Sequence, residues 1–193
     1  MVRETVEPPL RYVPMSWEEW LALPESARIE WVDGVAVMAP QPVRGHQDVV
    51  DRLKATLAAA LPTLVVVREI GVGEMRRRVR IPDVSVVERM SDEEWLAPVT
   101  PILVVEVLSP STRREDLLRK APEYLEAGIS QFWVVDRQAR TIEVLGHGGD
   151  RWETVAVVDD AHPSAEVALG EWGGVPLDVR LVLGDAEHTG APS

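Results

Sequence analysis

Two spacings of apolar residues alternate along the chain and predict a mixed α/β fold. Residues 46–61 carry apolar side chains every three or four positions, so we predict an amphipathic helix that Pro62 ends. Segments 64–72, 78–87 and 101–108 are instead rich in β-branched residues, which favour strands. The third segment is nearly all apolar, as expected for a strand buried on both faces of a sheet.

Capping and turn signals predict the remaining elements. Ser16 and Glu19 form a capping-box pattern at the start of a helix that runs through Leu23, and Gly128 suits the left-handed end of a helix over 112–127. The other predicted elements are a helical turn at 27–32 with an Asp33-Gly34 turn after it, strands at 35–38 and 131–136, a hairpin of 141–145 with 151–158, and strand-like pieces at 167–169, 177 and 179–183.

The length of 193 residues fits one domain, at about 150 residues per domain. Residues 1–14 contain three prolines and no apolar period, so we interpret them as an N-terminal arm. We predict a single domain over 15–183 and a frayed C-terminal tail over 184–193.

Composition narrows the possible chemistry. The absence of cysteine excludes disulfides, thiolate nucleophiles and iron–sulfur clusters, and it suits a reducing cytoplasm. The formal net charge of −12 argues against coating nucleic acid through bulk electrostatics, so any such contact must be local. No apolar run reaches the length of about 18 residues that a membrane helix needs, and no signal-peptide pattern opens the chain. We therefore expect no membrane association and a cytoplasmic location.

One carboxylate interrupts the most apolar segment of the chain. Six of the seven residues from Ile102 to Leu108 are apolar, and the exception is Glu106. Because side chains alternate along a strand, Glu106 shares a face with apolar neighbours, where an unpaired charge costs several kcal/mol. This position predicts a metal ion, a partnering cation or a raised pKa. The plainer alternative is a salt bridge to an arginine where the strand emerges.

A second carboxylate, Asp83, follows Pro82 and precedes another apolar run. Taken alone, it is more simply a strand-start residue that accepts hydrogen bonds from backbone N–H groups. Together with Glu106 on an adjoining strand, it makes an oxygen-ligand pair suited to Mg²⁺, which keeps several waters and takes one or two protein carboxylates.

Two further residues have both an ordinary and a functional interpretation. Lys120 borders the apolar stripe of its predicted helix, formed by Leu117, Ala121, Tyr124 and Leu125, which should face the sheet. This position would let its ammonium reach the carboxylates; an i,i+4 pair with Asp116 on a solvated face is the alternative. His46 opens the long helix, where a polar helix-start residue is a more ordinary interpretation than a metal ligand.

Short motifs along the chain resemble a known family in order and spacing. The pattern of Pro82-Asp83 on one strand and Glu106 on the next is similar to the PD-(D/E)xK nuclease superfamily. The surrounding motifs are Ile29-Glu30-Trp31-Val32-Asp33-Gly34, Gly45-His46-Gln47, Arg80-Ile81-Pro82-Asp83-Val84, Val104–Thr112, Asp116, Lys120, Tyr124, Ala127-Gly128-Ile129 and Phe132–Asp136. Together they resemble the Uma-type restriction endonucleases of bacteria, with a match from about Ser16 to Val158.

This resemblance implies a restriction-endonuclease-like core, with a mixed central β-sheet flanked by helices. It implies metal-dependent hydrolysis of phosphodiester bonds in nucleic acid, with DNA as the expected substrate. Asp83, Glu106 and Glu30, the last on an N-terminal helix, would bind Mg²⁺ or Mn²⁺ and act in catalysis with Lys120.

The chain departs from the superfamily pattern at one position. Leu108 stands two residues after the motif glutamate, where the superfamily usually has lysine, and Lys120 on the following helix is the match here. The resemblance also implies possible accessory roles for His46, Gln47 and Asp116.

Two arginine-rich segments border the expected site in sequence. A local positive rim there would bring nucleic acid to an acidic protein, although a solvated arginine-rich turn is the ordinary alternative. The residues expected to bind nucleic acid are Arg76, Arg78, Arg80, Arg113 and Arg114.

Two other functions stay open at this point. A catalytically silent nuclease-fold module that binds nucleic acid or a protein partner agrees with Leu108 and the acidic composition, whereas Asp83, Glu106 and Lys120 together favour an enzyme. A glycoside hydrolase would need Glu30 and Glu106 as a pair about 5–9 Å apart. Since double-strand cutters usually need two sites, we also expect a homodimer, formed through 179–183 or the N-terminal arm.

Overall fold

Three β-sheets and five α-helices make up the described part of the chain, residues 8–24, 27–74 and 77–184 of a computed structural model. The strands are β1 Arg11–Pro14, β2 Ile29–Val32, β3 Val35–Met38, β4 Val65–Arg68, β5 Val72–Glu74, β6 Arg78–Arg80, β7 Val84–Val87, β8 Leu103–Val107, β9 Gln131–Asp136, β10 Thr141–His147, β11 Trp152–Val158, β12 Ser164–Ala168 and β13 Gly174–Asp178. The helices are α1 Trp17–Leu21, α2 Arg44–Ala60, α3 Arg113–Glu115, α4 Ala121–Glu126 and α5 Val179–Leu183. None of these helices is long and apolar enough to cross a membrane.

The central sheet has six strands in the order β11-β10-β9-β8-β7-β4. β8 and β9 run parallel, and the other neighbours pair antiparallel, so the predicted mixed sheet is confirmed. Leu53 and Leu57 of α2 are fully buried in a core with Trp133 on one face, and Tyr124 of α4 packs with Phe132 in a second core. β8 is therefore covered on both faces, as its apolar sequence predicts.

A capping box opens α1. Ser16 Oγ accepts a hydrogen bond from the Glu19 N–H at 3.2 Å, and the Glu19 carboxylate accepts one from the Ser16 N–H at 2.8 Å. We expect Ser16→Ala to lower the free energy of unfolding by about 1 kcal/mol, measured by urea denaturation, because it leaves a first-turn N–H without its acceptor. The control is Ser130→Ala, an exposed serine whose side chain makes no hydrogen bond within the described residues. Equal losses in the two variants would contradict the prediction.

The predicted helical turn at 27–32 is wrong, because Ile29–Val32 form β2, which pairs antiparallel with β3. Asp33 and Gly34 have φ values of 47° and 87°, which suit the two central positions of a type I′ hairpin turn. Such a turn pairs the segment directly before it with the segment directly after it. Glu30 consequently lies on a strand rather than on the helix implied by the family resemblance.

The segments 64–72 and 78–87 each divide into two strands that belong to different sheets. β4 and β7 lie in the central sheet, whereas β5 and β6 join a five-stranded sheet of order β1-β3-β2-β6-β5. Pro82 separates β6 from β7 and has no N–H for a sheet hydrogen bond, so one sheet cannot continue across it.

Both ends of the predicted domain differ from expectation. Arg11–Pro14 of the predicted arm form β1 and pair with β3, while residues 1–7 and 185–193 lie outside the described residues. The segment 179–183, predicted as strand-like, is helix α5, because the Asp178 carboxylate accepts hydrogen bonds from the N–H groups of Arg180 and Leu181. A dimer contact through a C-terminal strand at this position is therefore ruled out.

Candidate functional site

Asp83 and Glu106 lie on neighbouring strands, as predicted. Val84 of β7 pairs with Val105 of β8, so Asp83, directly before β7, lies beside the end of β8. Asp83 Oδ2 accepts a hydrogen bond from the Val107 N–H at 2.7 Å. The ordinary interpretation of Asp83, as a residue that satisfies a backbone donor, is thus also correct, and it fixes the carboxylate in the site.

Lys120 brings three carboxylates together. Its Nζ lies 2.9 Å from Glu30 Oε1, 3.1 Å from Glu106 Oε1 and 3.1 Å from Asp116 Oδ1. The predicted i,i+4 pair with Asp116 exists, but it is buried in the site rather than solvated, since Lys120 is 7% exposed and Asp116 is 2% exposed. The ammonium does reach Glu106.

A π-helical turn over residues 116–120 directs Lys120 inward. The Ala121 N–H donates to the Asp116 carbonyl five residues earlier. Pro122 follows at once; its ring would clash with the carbonyl four residues earlier in a regular α-helix, and the wider π turn relieves that clash. As a result, Lys120 lies on the buried side of this turn, whereas Leu118 lies on the outer side and is 63% exposed.

Glu106 is held in a crowded, negatively charged position. Tyr124 Oη donates a hydrogen bond to Glu106 Oε1 at 2.6 Å, and Glu106 is 3% exposed. Burial raises the pKa of Glu106 well above its usual range; Lys120 lowers it, but the carboxylates of Asp116, Asp83 and Glu30 raise it further. Burial likewise raises the pKa of Asp116, against the lowering effect of Lys120.

Arg80 lies inside the protein rather than on a nucleic-acid surface. It is 2% exposed, and its Nη1 contacts Glu30 Oε2 at 2.8 Å and Glu115 Oε1 at 3.0 Å. Its Nε and Nη2 contact the two oxygens of Glu123 at 2.6 and 2.9 Å. Burial raises the pKa of Glu30, but Lys120 and Arg80 outweigh it and lower that pKa overall. The predicted role of Arg80 in binding nucleic acid is therefore corrected.

His46 and Gln47, the predicted accessory pair, have different surroundings. His46 Nε2 lies 3.0 Å from Asp83 Oδ1, so His46 holds the second oxygen of that carboxylate. Gln47 is half-buried on α2 and makes no side-chain hydrogen bond within the described residues. The structure brings only His46 to the carboxylates.

A cavity of about 120 Å³ joins these groups. Its lining includes Glu30, His46, Asp83, Glu106, Asp116 and Lys120. Sequence reasoning missed Glu115 and the hydrogen bond of Tyr124 to Glu106. Tyr124 lay on the stripe predicted to face the sheet, which was a signal for burial but not for contact with Glu106. Glu115 has no such signal, because its main partners, Arg80 and Tyr12, are distant in sequence.

The other arginines predicted to bind nucleic acid are mostly engaged with acidic residues. Arg78 lies 3.3 Å from a Glu126 oxygen, and Arg113 pairs with Asp136. Arg114 is exposed and makes no ion pair within the described residues. Arg76 lies outside the described residues. The expected positive rim is thus reduced in the described part of the chain.

Comparisons with known proteins identify the fold and the family. The crystal structure of a "putative nuclease belonging to DUF820" from Anabaena variabilis superposes with a TM-score of 0.70 and 20% sequence identity, over 88% of this chain and 98% of that chain. This similarity confirms the restriction-endonuclease-like fold. A search of curated proteins finds no match. The family model of Uma2, described as "Putative restriction endonuclease", matches residues 17–180. The chain therefore belongs to the Uma2 family of restriction-endonuclease-like proteins.

Proposed function

We propose that this protein is a metal-dependent endonuclease that hydrolyses phosphodiester bonds of nucleic acid, with DNA as the substrate. One observation carries the proposal: Asp83 and Glu106 from paired strands and Lys120 from the following helix line the same cavity. Membership of the Uma2 family supports the nuclease class.

The oxygen atoms of this cavity fit Mg²⁺ or Mn²⁺. Oε2 of Glu106 accepts no hydrogen bond within the described residues, whereas Oδ1 of Asp116, which meets no other partner there, contacts the Lys120 ammonium at 3.1 Å. No cluster of three or more His, Asp or Glu side chains stands ready for a metal in the described residues. Mg²⁺ commonly takes one or two protein carboxylates and fills its other positions with water, so an open site of this kind suits it.

We assign metal binding to Asp83 and Glu106, and we withdraw Glu30 from the ligands that the resemblance implies. Glu30 Oε1 already contacts Lys120 Nζ and accepts from the Ile81 N–H at 3.1 Å, and its Oε2 contacts Arg80. Both Glu30 oxygens are therefore paired with cationic side chains, which would repel a divalent ion, and the role that fits Glu30 is to hold Lys120 in place.

Each side chain has a role that follows from its contacts. A bound divalent ion would lower the pKa of a water and polarise a phosphodiester oxygen. His46 and the Val107 N–H keep Asp83 in one orientation, and Tyr124 does the same for Glu106. Burial lowers the pKa of Lys120, but three carboxylates raise it well above its usual range. Lys120 therefore stays protonated and acts by donating hydrogen bonds and offsetting negative charge, not as a general base.

The silent nuclease-fold module is the second candidate, favoured by one observation. The Lys120 ammonium is already shared among three carboxylates, which is the arrangement expected of a structural ion-pair network. The glycoside hydrolase has no such support, because Lys120 lies between Glu30 and Glu106, where a sugar would have to be.

The test is cleavage of supercoiled plasmid. We expect nicked plasmid to accumulate with Mg²⁺ or Mn²⁺, and no cleavage in EDTA, because the carboxylates alone do not activate water. Asp83→Asn, purified in the same way, controls for contaminating nucleases and is expected to be inactive. Absence of cleavage for the unaltered protein on duplex, single-stranded DNA and RNA, with DNA binding retained, would favour the silent module.

We also propose a homodimer, because cutting both strands of a duplex needs two sites. Because 179–183 is a helix, the expected dimer contact that remains is the N-terminal arm, of which Arg11–Pro14 form strand β1. Light scattering on the eluting protein measures the mass directly, and a monomer would contradict the proposal.

A further inference from the structure

We infer that Arg137 binds a phosphate group of the nucleic acid substrate beside the carboxylates, an inference that rests on the proposed function. Arg137 follows the last residue of β9 and lines the same cavity as Asp83 and Glu106. The sequence motifs give it no role. Its position in the cavity, its lack of a partner among the described residues and its contact with Gly45 each support the assignment.

Arg137 is half-buried, yet its guanidinium makes no hydrogen bond or ion pair within the described residues. The other cations that line the cavity are engaged: Arg28 pairs with Glu69, and Lys120 contacts three carboxylates. None of its nitrogens is a fully buried atom, so its N–H donors stay accessible to solvent and have no hydrogen bonds from the protein within the described residues. A ligand with acceptor oxygens would supply those bonds.

The backbone turn at Arg137 is fixed by hydrogen bonds, and the side chain of Arg137 lies against the first turn of α2. The Asp136 carboxylate accepts hydrogen bonds from the N–H groups of Gln138 and Ala139, which fixes the turn on either side of Arg137. A Cβ at Gly45 would lie 2.5 Å from Arg137 Nη2 and 3.4 Å from Cζ. A larger residue at position 45 would therefore require the flexible end of Arg137 to move from this place.

The charges around the cavity make Arg137 the group that could attract a phosphate. Five carboxylates line the cavity, those of Glu30, Glu69, Asp83, Glu106 and Asp116, and they repel an approaching phosphodiester. Arg137 supplies the uncommitted positive charge, and its planar fork of N–H donors matches two phosphate oxygens. The first turn of α2, which has no side-chain cap at Val43, adds partial positive charge on the same side.

The test is equilibrium binding of a fluorescent DNA duplex, measured by anisotropy in the cleavage-deficient Glu106→Gln background over a range of salt. Arg137→Gln is expected to weaken binding about tenfold, as for one lost charge-assisted hydrogen-bonded contact. The slope of log K against log salt is expected to fall by about 0.9, for one phosphate. The matched control is Arg151→Gln, which changes the same charge at a side chain 70% exposed in the turn between β10 and β11.

Gly45→Ala provides a second variant that keeps every charge. The added methyl group displaces the guanidinium, while alanine favours the helix, so affinity should fall with no decrease in Tm. If Arg137→Gln and Gly45→Ala both bind like Arg151→Gln, the inference is wrong and the nuclease proposal stands.

If the unaltered protein neither binds nor cleaves nucleic acid, the nuclease proposal fails. Binding of inorganic phosphate then tests the phosphate site at Arg137 separately. Titration with phosphate should then shift the Nε–H NMR signal of Arg137 in the unaltered protein and leave it in place in Gly45→Ala. A signal that phosphate does not shift would overturn the phosphate site as well.

Discussion

Glu106→Gln is expected to abolish metal-dependent cleavage and at the same time to stabilise the folded protein. Glutamine keeps the shape of the side chain and an oxygen that Tyr124 and Lys120 can still contact, but it removes the negative charge that a divalent cation needs. The expected loss in kcat is about 10³-fold, corresponding to several kcal/mol of lost metal-assisted stabilisation. Quantified plasmid nicking measures it.

The gain in stability follows from the raised pKa of Glu106. A carboxyl group with a higher pKa in the folded state than in the unfolded state stabilises the fold below its unfolded pKa, and this contribution is lost as the pH rises through its folded pKa. Above that range the ionised Glu106 destabilises the protein, because it is buried and faces Asp116, Asp83 and Glu30. Glutamine has no charge to bury, so its advantage should grow with pH.

Urea denaturation at a series of pH values in EDTA measures this advantage. The control is Glu93→Gln, which removes an exposed carboxylate that makes no ion pair within the described residues and should not alter the pH profile. A Glu106→Gln protein that is less stable than the unaltered protein at neutral pH would mean that the ion pair with Lys120 outweighs burial and repulsion. Unchanged cleavage by the variant would contradict the proposed metal site.

Arg80→Met is expected to lower the free energy of unfolding by about 3–5 kcal/mol, the largest loss among these variants. Methionine fills similar volume but leaves Glu30, Glu115 and Glu123 without the guanidinium that all three contact. Breaking a buried ion pair costs more than the pair contributes, because uncompensated charge stays inside the protein. A loss of this size is a large part of the 5–15 kcal/mol that is typical of whole domains.

Urea denaturation of Arg80→Met and of Arg151→Met separates this effect from loss of a surface charge. Arg151 is 70% exposed, so its substitution should change the free energy of unfolding by less than about 0.5 kcal/mol. Arg80→Lys should lie between the two, because an ammonium cannot hold Glu123 through two parallel hydrogen bonds. Equal stability of Arg80→Met and Arg151→Met would show that the carboxylates find other partners or protonate.

Sequence patterns predicted those parts of the fold that depend on neighbouring residues. The spacing of apolar residues in 46–61 predicted α2, and the capping box at Ser16 predicted α1. The wrong helix prediction at 27–32 also has a local cause, because the predicted Asp33-Gly34 turn requires a strand on both sides of it. The division of 78–87 was less predictable, since Pro82 marks a break but does not say that the two halves join different sheets.

The sequence by itself determined where the central carboxylates lie. Glu106 is conspicuous because its charge interrupts an apolar strand, and Asp83 because it directly precedes another. Strands adjacent in sequence often pair. Tertiary structure alone decided which charges face one another. Arg80 contacts Glu30 across 50 positions and Glu123 across 43, and the side chain of Arg137 lies against Gly45 of α2. The formation of ion pairs depends on distances in space. No local spacing in the sequence therefore predicts that Arg80 is buried among carboxylates while Arg137 makes no ion pair within the described residues.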